Sequence, residues 1–206
     1  MRGRTKICKI CLKPVHNWNL HIFFKSDYCI CEKCEEKLHP LFLKFRIGNI
    51  DALAIYKYDE DIRTFLYQFK GCYDIELGEV FLNRFKDELH FMFHDYFLIP
   101  APSSKKDDKE REFNHVKIIF QSLNLPMLPI IDKAFDYKQA ELSAKERQEA
   151  TRNLRINNNH SLYGKKILII DDVYTTGATV RGMIELIKTL KPKKIKVLVM
   201  SKTYLK

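Results

Sequence analysis

Residues 165–180, KKILIIDDVYTTGATV, decide the fold of this chain. An aliphatic run ends in two consecutive carboxylates, Asp171 and Asp172, and a small hydroxyl-rich loop then leads into a helical pattern. This order predicts a buried strand followed by a helix N-terminus, where backbone N–H groups and the helix dipole together favour an anion. Gly177 lets the backbone approach a ligand without a Cβ clash. Ligands of open α/β sheets bind at this place, beyond the carboxyl end of a strand.

The two acids indicate that the ligand is more than a phosphate, because carboxylates repel phosphate. They are explained if the ligand also carries hydroxyls or a bound cation. A phosphate joined to a sugar diol offers an anion to the loop and hydroxyls to the acids. The alternative is that Asp171 and Asp172 cap the strand and that the following TTG is an ordinary turn. The stretch is not a P-loop, since it lacks the GxxxxGK[ST] spacing and its lysine.

The rest of the chain alternates between strand and helix patterns. Strands are predicted over residues 49–58, 96–99, 126–131, 165–170 and 194–201, and helices over 60–71, 75–93, 114–123 and 179–190. Residues 103–112, which contain no apolar side chain, are predicted to form a loop that leads into the helix over 114–123. Alternating strands and helices predict an α/β fold with a mostly parallel sheet flanked by helices.

Two CxxC pairs near the amino end predict a metal site. Cys8 and Cys11 are separated by nineteen residues from Cys31 and Cys34, a spacing that suits tetrahedral structural Zn²⁺. Metal binding would supply the folding free energy of this segment, which is too short to build its own apolar core.

Several alternatives to this ligand set remain open. Cys29 could replace Cys31 as a ligand, although Cys31 has the better spacing. The four cysteines could also be separate buried or reactive thiols that share no metal. Nearby histidines could substitute for a thiolate: His16, His21 and His39. Cys72 is isolated, and we expect it to be a buried small residue rather than a ligand.

Charge and hydropathy limit the classes of partner and compartment. The net charge is +10; residues 1–46 hold ten Lys or Arg against four acids, and seven lysines but no acid follow Glu185. Such an excess favours polyanionic partners, although a solvated lysine-rich surface explains it equally well. No run of eighteen apolar residues exists and the amino end has no signal-peptide core, so a cytoplasmic location is expected.

The loop pattern resembles the 5-phosphoribosyl-1-diphosphate (PRPP) loop of type I phosphoribosyltransferases. That resemblance implies that Asp171 and Asp172 bind the ribose hydroxyls and are the catalytic candidates, with Mg²⁺ accompanying PRPP. It also implies a set of residues that hold the 5′-phosphate: Thr175, Thr176, Gly177, Ala178 and Thr179.

Together, the cysteines and the loop resemble the ComF family of competence proteins over essentially the whole chain. The resemblance includes an FKG element at residues 69–71, an IPAP strand end at 99–102, an ERxFN element at 110–114 and a QxxLSxxER…NL segment at 139–154. This chain departs from the family at Glu112, where a glycine is usual, and at residues 103–108, where a Leu-His-Pro-Arg-like stretch is usual. Lys105, Lys106 and Arg111 could still bind an anion there.

The resemblance implies a zinc-binding module over residues 1–46 and a type I phosphoribosyltransferase-like domain over 47–206. It implies a cytoplasmic competence accessory protein that binds PRPP and single-stranded DNA during DNA uptake, with DNA-uptake proteins as partners. Basic tails and four aromatics in the amino segment suit a strand-tracking surface: Trp18, Phe23, Phe24 and Tyr28. The alternative is that these aromatics, above all Phe23 and Phe24, pack beneath the cysteine segment. Residues 138–155 resemble the segment that covers the site in related transferases, with Arg147 and Arg152 able to reach a diphosphate. The alternative function is a catalytically active phosphoribosyltransferase of nucleotide metabolism.

Overall fold

The computed structural model describes residues 6–15, 30–133, 154–157 and 161–204. The strands are β1 (Pro40–Ile47), β2 (Ile50–Lys57), β3 (Tyr96–Pro100), β4 (Ile131–Lys133), β5 (Leu154–Ile156), β6 (Lys166–Tyr174) and β7 (Lys194–Lys202). The α-helices are α1 (Glu32–Glu35), α2 (Glu60–Gly71), α3 (Leu77–Val80), α4 (Lys86–Phe93), α5 (Lys105–Arg111), α6 (His115–Phe120) and α7 (Ala178–Thr189). Short 3₁₀ turns cover Asn83–Phe85 and Gln121–Leu123.

Five strands form one sheet in the order β1-β2-β7-β6-β3. β1 and β2 form an antiparallel hairpin, while the pairs β2–β7, β7–β6 and β6–β3 are all parallel. The predicted mostly parallel α/β sheet is therefore confirmed. Parallel strands end at the same edge of a sheet, so the carboxyl end of β6, with Asp171 and Asp172, shares that edge with the ends of β2, β3 and β7.

Both faces of the sheet are covered, which is the usual condition of a parallel sheet. One face packs against α2, α4 and α6, with Ile62, Phe69, Leu89 and Ile119 fully buried there. The other face packs against α7, which buries four apolar side chains at helical spacing: Val180, Met183, Ile184 and Ile187. The two strands that carry the middle of the sheet, β6 and β7, are accordingly aliphatic on both faces.

The helix after β2 begins and ends where the sequence predicts. The Asp59 carboxylate accepts a hydrogen bond from the Ile62 N–H at 3.0 Å and so caps α2. Asp59 is followed by two more acids in the first turn, which the helix dipole favours, and the helix ends at Gly71.

Five segments differ from their predicted structure. β1 had no counterpart among the predicted strands, and it forms an edge of the main sheet. Residues 75–93 form α3, a 3₁₀ turn and α4 instead of one continuous helix. The predicted loop at 103–112 contains α5, and the predicted strand at 126–131 is replaced by a parallel bridge between Met127 and Leu98 and by β4, which begins at Ile131. β5, which pairs with β4, was not predicted.

Among the helices that the structure describes, none combines the length and the apolar content that crossing a membrane requires.

Candidate functional site

The loop between β6 and α7 ends in a left-handed glycine at the start of the helix. Gly177 caps α7 with a φ of +74°, in the left-handed region that favours glycine. Thr175 and Thr176 are exposed, while Ala178 and Thr179 are half-buried in the first turn of the helix. The structure thus presents hydroxyls and free N–H groups of a twelve-residue helix at the carboxyl edge of the sheet.

Asp172 is the better enclosed of the two acids, with a side chain that is only 10% exposed. Its Oδ2 contacts the Nζ of Lys70 in an ion pair, and its Oδ1 accepts a hydrogen bond from the Val173 N–H at 2.7 Å. The Nε2 of His115 lies 3.5 Å from the same Oδ2. Burial raises the pKa of Asp172, but Lys70, His115 and the hydrogen bond with Asp171 together outweigh burial and hold that pKa below its ordinary value.

Asp171 has a different environment, although it is adjacent in sequence. Its Oδ1 accepts a hydrogen bond from the Asp172 N–H at 2.9 Å, and its side chain is half-buried. Burial and then the charge of Asp172 raise the pKa of Asp171 well above its ordinary value. The pair therefore presents one carboxylate that is paired with a lysine and one carboxyl group whose pKa is raised.

His115 and Lys70 were not identified as site residues from the sequence. His115 is the first residue of α6, and burial, with the charges of Lys70 and Arg111, lowers its pKa to about 4, which Asp172 only partly opposes. Its Nδ1 is buried and has no hydrogen-bond partner. Lys70 lies in the FKG element that carried the family resemblance, and that was the available signal for it.

The segment after β3 is held in a fixed conformation beside these residues. Asn114 Nδ2 donates hydrogen bonds to Ser103 Oγ and Asp108 Oδ2, each at 2.8 Å, and Ser103 Oγ also contacts Asp108. Arg111 Nη2 lies 3.3 Å from Asp108 Oδ1. Of the three cationic anion-binding candidates in this segment, Arg111 is thus engaged with a carboxylate, and Lys105 and Lys106 are exposed.

The amino-terminal cysteines come together as one cluster. The Sγ atoms of Cys8, Cys11, Cys31 and Cys34 lie within 4.8 Å of one another, and those of Cys11 and Cys31 are 3.6 Å apart. Four thiolates around one Zn²⁺ at about 2.3 Å would be separated by about 3.8 Å, so the cluster is compatible with structural zinc. A backbone hydrogen bond from Lys13 lowers the pKa of Cys11 to about 7, whereas burial raises that of Cys34.

The alternative ligands do not join this cluster where they are described. His39 is exposed and is not part of it, while His16, His21 and Cys29 lie outside the described residues. Cys72 is exposed just beyond α2, so the expectation that it is buried was wrong. The aromatics of residues 18–28, together with Arg147 and Arg152, also lie outside the described residues.

The cysteine cluster docks against the helices of the main sheet. Cys8, Ile30, Cys34 and Leu38 are buried in the same core as α2. The Lys9 ammonium lies 2.8 Å from Glu76 and 3.1 Å from Glu79. The Arg84 Nη1 atom lies 2.7 Å from Glu35 Oε1, which joins the helix of the cysteine cluster to the 3₁₀ turn before α4.

A groove of about 510 Å³ lies on the sheet face between β1 and α4. We call it the basic groove, and it is lined by Phe42, Lys44, Phe45, Arg46, Asp51, Ala52, Leu53, Met92, Phe93, Lys196 and Val197. Its lining includes three cations and the single acid Asp51. The Lys196 ammonium lies over the rings of Phe93 and Tyr96, at 5.8 and 5.7 Å from their centroids.

Comparison with known proteins agrees with this architecture. The family model described as phosphoribosyl transferase domain matches residues 114–202. The competence protein ComFC of Bacillus subtilis is 28% identical over 179 residues, which cover 84% of this chain and 68% of that protein. ComFC of Streptococcus pneumoniae is 26% identical over 166 residues, which cover 81% of this chain and 72% of that protein.

Solved phosphoribosyltransferases resemble the chain more distantly. A hypoxanthine phosphoribosyltransferase from Staphylococcus aureus has 13% sequence identity and a TM-score of 0.41, covering 62% of this chain and 72% of that one. A purine phosphoribosyltransferase from Pyrococcus horikoshii has 20% identity and a TM-score of 0.37, covering 61% and 81%.

The matched domain contains β6, the loop and α7, and the two ComFC relatives extend the similarity over most of the chain. With a phosphoribosyl transferase domain and an amino-terminal four-cysteine cluster, the chain is similar to the ComFC competence proteins over most of its length.

Proposed function

We propose that this chain is a cytoplasmic competence accessory protein that binds PRPP at the carboxyl edge of its sheet. The ComFC relatives and the phosphoribosyl transferase domain support a role related to competence. The observation that carries the ligand is the joint position of an anion-binding helix start at Gly177 and two acids at the end of the preceding strand. The 5′-phosphate would bind at Thr175–Thr179 and the ribose hydroxyls at Asp171 and Asp172.

Isothermal titration of the chain with PRPP and with ribose 5-phosphate tests this proposal. Asp172→Asn is expected to weaken both ligands by about tenfold or more, since one hydrogen bond to a charged group contributes about 1.5–3 kcal/mol. Asp95→Asn is a matched control, because Asp95 is an exposed acid at the opposite edge of the sheet. Absence of binding by the parent chain would leave a phosphoribosyltransferase fold without its ligand.

Turnover is tested separately, by pyrophosphate release from PRPP in the presence of candidate nitrogen nucleophiles. The alternative function, a phosphoribosyltransferase of nucleotide metabolism, requires release that depends on one acceptor and is lost in Asp172→Asn. Binding of PRPP without release under any acceptor would favour the accessory role.

The basic groove supports a second part of the proposal, which is binding of single-stranded DNA. Lys44, Arg46 and Lys196 can contact successive phosphates, and the partly exposed Phe42 offers a ring for base stacking. The groove is separate from the sugar-phosphate site: Lys196 pairs with Leu168, four residues before Asp172 on β6, which is about 13 Å along the strand.

Anisotropy titrations with a labelled oligo-dT measure this binding and its salt dependence. The triple substitution Lys44→Glu, Arg46→Glu and Lys196→Glu is expected to weaken binding by at least about tenfold and to reduce the salt slope. Lys105→Glu with Lys106→Glu is the control of like chemistry, since both lysines are exposed on α5. If the groove variant binds DNA as tightly as the parent chain, the DNA site lies elsewhere. The basic amino-terminal segment that carries the cysteines is then the next candidate for that site. Deletion of residues 1–46 is unsuitable as a test because it would also remove nearly all of β1.

A further inference from the structure

A second cavity, of about 330 Å³, lies at the amino edge of the parallel strands, where β2 and β7 begin. We call it the lysine pocket, because its lining includes Lys188, Lys191, Lys193 and Lys194. Asp51 is the only acid that lines it. An excess of four cations over one acid in a concave surface favours an anionic ligand.

Three of the four lysines have no carboxylate partner among the residues that the structure describes: Lys191, Lys193 and Lys194. All three are exposed. Lys188, in contrast, lies 3.0 Å from Glu185 on the same helix. Unpaired ammonium groups that lie close together repel one another, so an anion that contacts several of them at once is favoured.

The turn that carries these lysines has a fixed backbone. Lys191 has a φ of +51°, and its N–H donates to the Lys188 carbonyl at 3.1 Å. The Lys193 N–H donates to the Lys165 carbonyl at 2.9 Å, which ties the turn to the residue before β6. Because the turn is already ordered, less conformational entropy is lost when a ligand binds to it.

The lysine pocket adjoins the basic groove. Asp51 lines both cavities, and its register partners are Arg46 on β1 and Lys196 on β7, so the three residues form one row across the sheet. Lys194 in the pocket is two residues before Lys196 in the groove, so both lie on the same face of β7, about 7 Å apart. A chain of phosphates can therefore pass from one cavity to the other along a positive surface.

We propose that the lysine pocket continues the path of single-stranded DNA, with Lys191, Lys193 and Lys194 binding the backbone phosphates next to those held in the basic groove. This inference rests on the DNA-binding part of the proposed function. The pocket is lined by cations but by no aromatic side chain, so it binds the backbone of any sequence, while base stacking occurs at Phe42 in the groove.

Oligonucleotide length is the variable that separates the two cavities. In anisotropy titrations, a labelled oligo-dT of about 15 nucleotides is expected to reach both, and one of about 5 nucleotides to occupy the groove alone. The triple substitution Lys191→Gln, Lys193→Gln and Lys194→Gln is expected to weaken binding of the long oligonucleotide by about tenfold or more. It should also reduce the salt slope by about 2, since each lost phosphate contact removes about 0.7. Binding of the short oligonucleotide is expected to change by less than about threefold.

Two further variants control for charge and for folding. Lys105→Gln, Lys106→Gln and Lys109→Gln together remove three exposed lysines of α5, which line neither cavity, and should leave both lengths bound as in the parent chain. Lys191→Gly removes one charge and relaxes a left-handed backbone, so it is expected to fold at least as stably as the parent chain. Its salt slope for the long oligonucleotide should fall by about 0.7.

Ribose 5-phosphate binding, measured by calorimetry, is expected to be unchanged in the lysine-pocket variant. Lys194 is the register partner of Lys166, and Asp172 lies six residues further along β6, which is about 20 Å. Unchanged binding therefore shows that the carboxyl edge of the sheet is intact when DNA binding is lost.

The outcomes distinguish this inference from the function on which it rests. If the lysine-pocket variant binds the long oligonucleotide like the parent chain, or loses no more affinity than the α5 variant, the inference is overturned while the groove stands. Equal loss of both lengths would also overturn it, since the pocket would then not be a separate part of the path. If the parent chain binds neither length, the DNA-binding part of the proposed function fails and the inference fails with it.

Discussion

The ring of Tyr174 lies against Gly177, so closely that a methyl group at position 177 would overlap it. Tyr174 is the last residue of β6, and its ring also packs edge-to-face against Phe45 with centroids 5.0 Å apart. The glycine is therefore required twice, once for its φ of +74° and once for the space that the tyrosine occupies.

Gly177→Ala is accordingly expected to weaken ribose 5-phosphate binding by more than about tenfold and to lower the free energy of unfolding by at least about 1–2 kcal/mol. Calorimetry and denaturant unfolding measure the two effects. Gly164→Ala is the matched control, because Gly164 has a φ of +73° with no atom within 4 Å of an added Cβ. Gly164→Ala should lower the free energy of unfolding through its backbone conformation alone and leave binding unchanged. Equal loss of binding in both variants would contradict a specific role for Gly177.

His115 predicts a pH dependence of stability. Its pKa is lowered from 6.5 to about 4, so the unfolded chain binds more protons than the folded one between these values. Stability from this group is therefore fully present above pH 6.5 and is lost as the pH falls towards 4, by at most about 3 kcal/mol.

His115→Gln removes this titration while keeping a side chain of similar polarity. The difference in free energy of unfolding between the variant and the parent chain, measured by urea denaturation from pH 7 to pH 4, is expected to shift in favour of the variant as the pH falls. The comparison is made as a difference because Asp171, whose raised pKa acts in the opposite direction, titrates in both proteins. A difference that stays constant with pH would show that His115 does not titrate as its burial implies.

Glu112 occupies a position that favours glycine. It follows α5 with a φ of +65°, and its side chain is exposed. Glu112→Gly is expected to raise the free energy of unfolding by up to about 1 kcal/mol, because a left-handed conformation costs other residues about 1–2 kcal/mol and glycine loses part of that gain in chain entropy. Thermal unfolding measures the change, and a variant less stable than the parent chain would contradict the reasoning.

Removal of zinc is expected to lower the unfolding temperature and to expose the core around α2. Cys8 and Cys34 are buried in that core, so unfolding of the cysteine cluster uncovers apolar side chains that bind a hydrophobic dye. Metal analysis should find one zinc per chain in the parent protein and less in Cys11→Ser. Lys9→Ala, which removes only the partly exposed contacts with Glu76 and Glu79, should retain zinc and lose no more than about 1 kcal/mol. A protein without zinc that unfolds at the same temperature would rule out a structural role.

Much of the fold was predictable because its signals are local. The aliphatic runs of β6 and β7 and the Asp59 cap with its apolar helix face each lie within one short segment. α5 was missed because it buries no side chain and so has no apolar face; it is held by the Ser104 cap and by contacts of Asp108 with Ser103 and Asn114. β1 was missed because its bulge near residues 40–43 and its mixed burial interrupt the alternation expected of a strand.

The site could be predicted only in part, for a different reason. The loop and its two acids are contiguous, so their chemistry is visible in one stretch of sequence. Lys70 and His115 reach Asp172 from α2 and α6, and only the packing of those helices on the sheet brings the three together. From the sequence alone, the acids suggested ligand hydroxyls or a bound cation, and the contact of Lys70 with Asp172 could not be foreseen.

The strand order has a consequence for the way in which this chain is made. β7 is the last of the five sheet strands in sequence, but it lies in the centre of the sheet between β2 and β6. At a synthesis rate of about 5–20 residues per second, β2 leaves the ribosome several seconds or more before its parallel neighbour does. During that interval the β1–β2 hairpin has an open edge that could pair with another nascent chain. The cysteine cluster and α2 are both synthesised well before β7, so the cluster can dock on α2 while the sheet is still incomplete. Metal binding at that stage would cover part of the apolar surface of the unfinished chain.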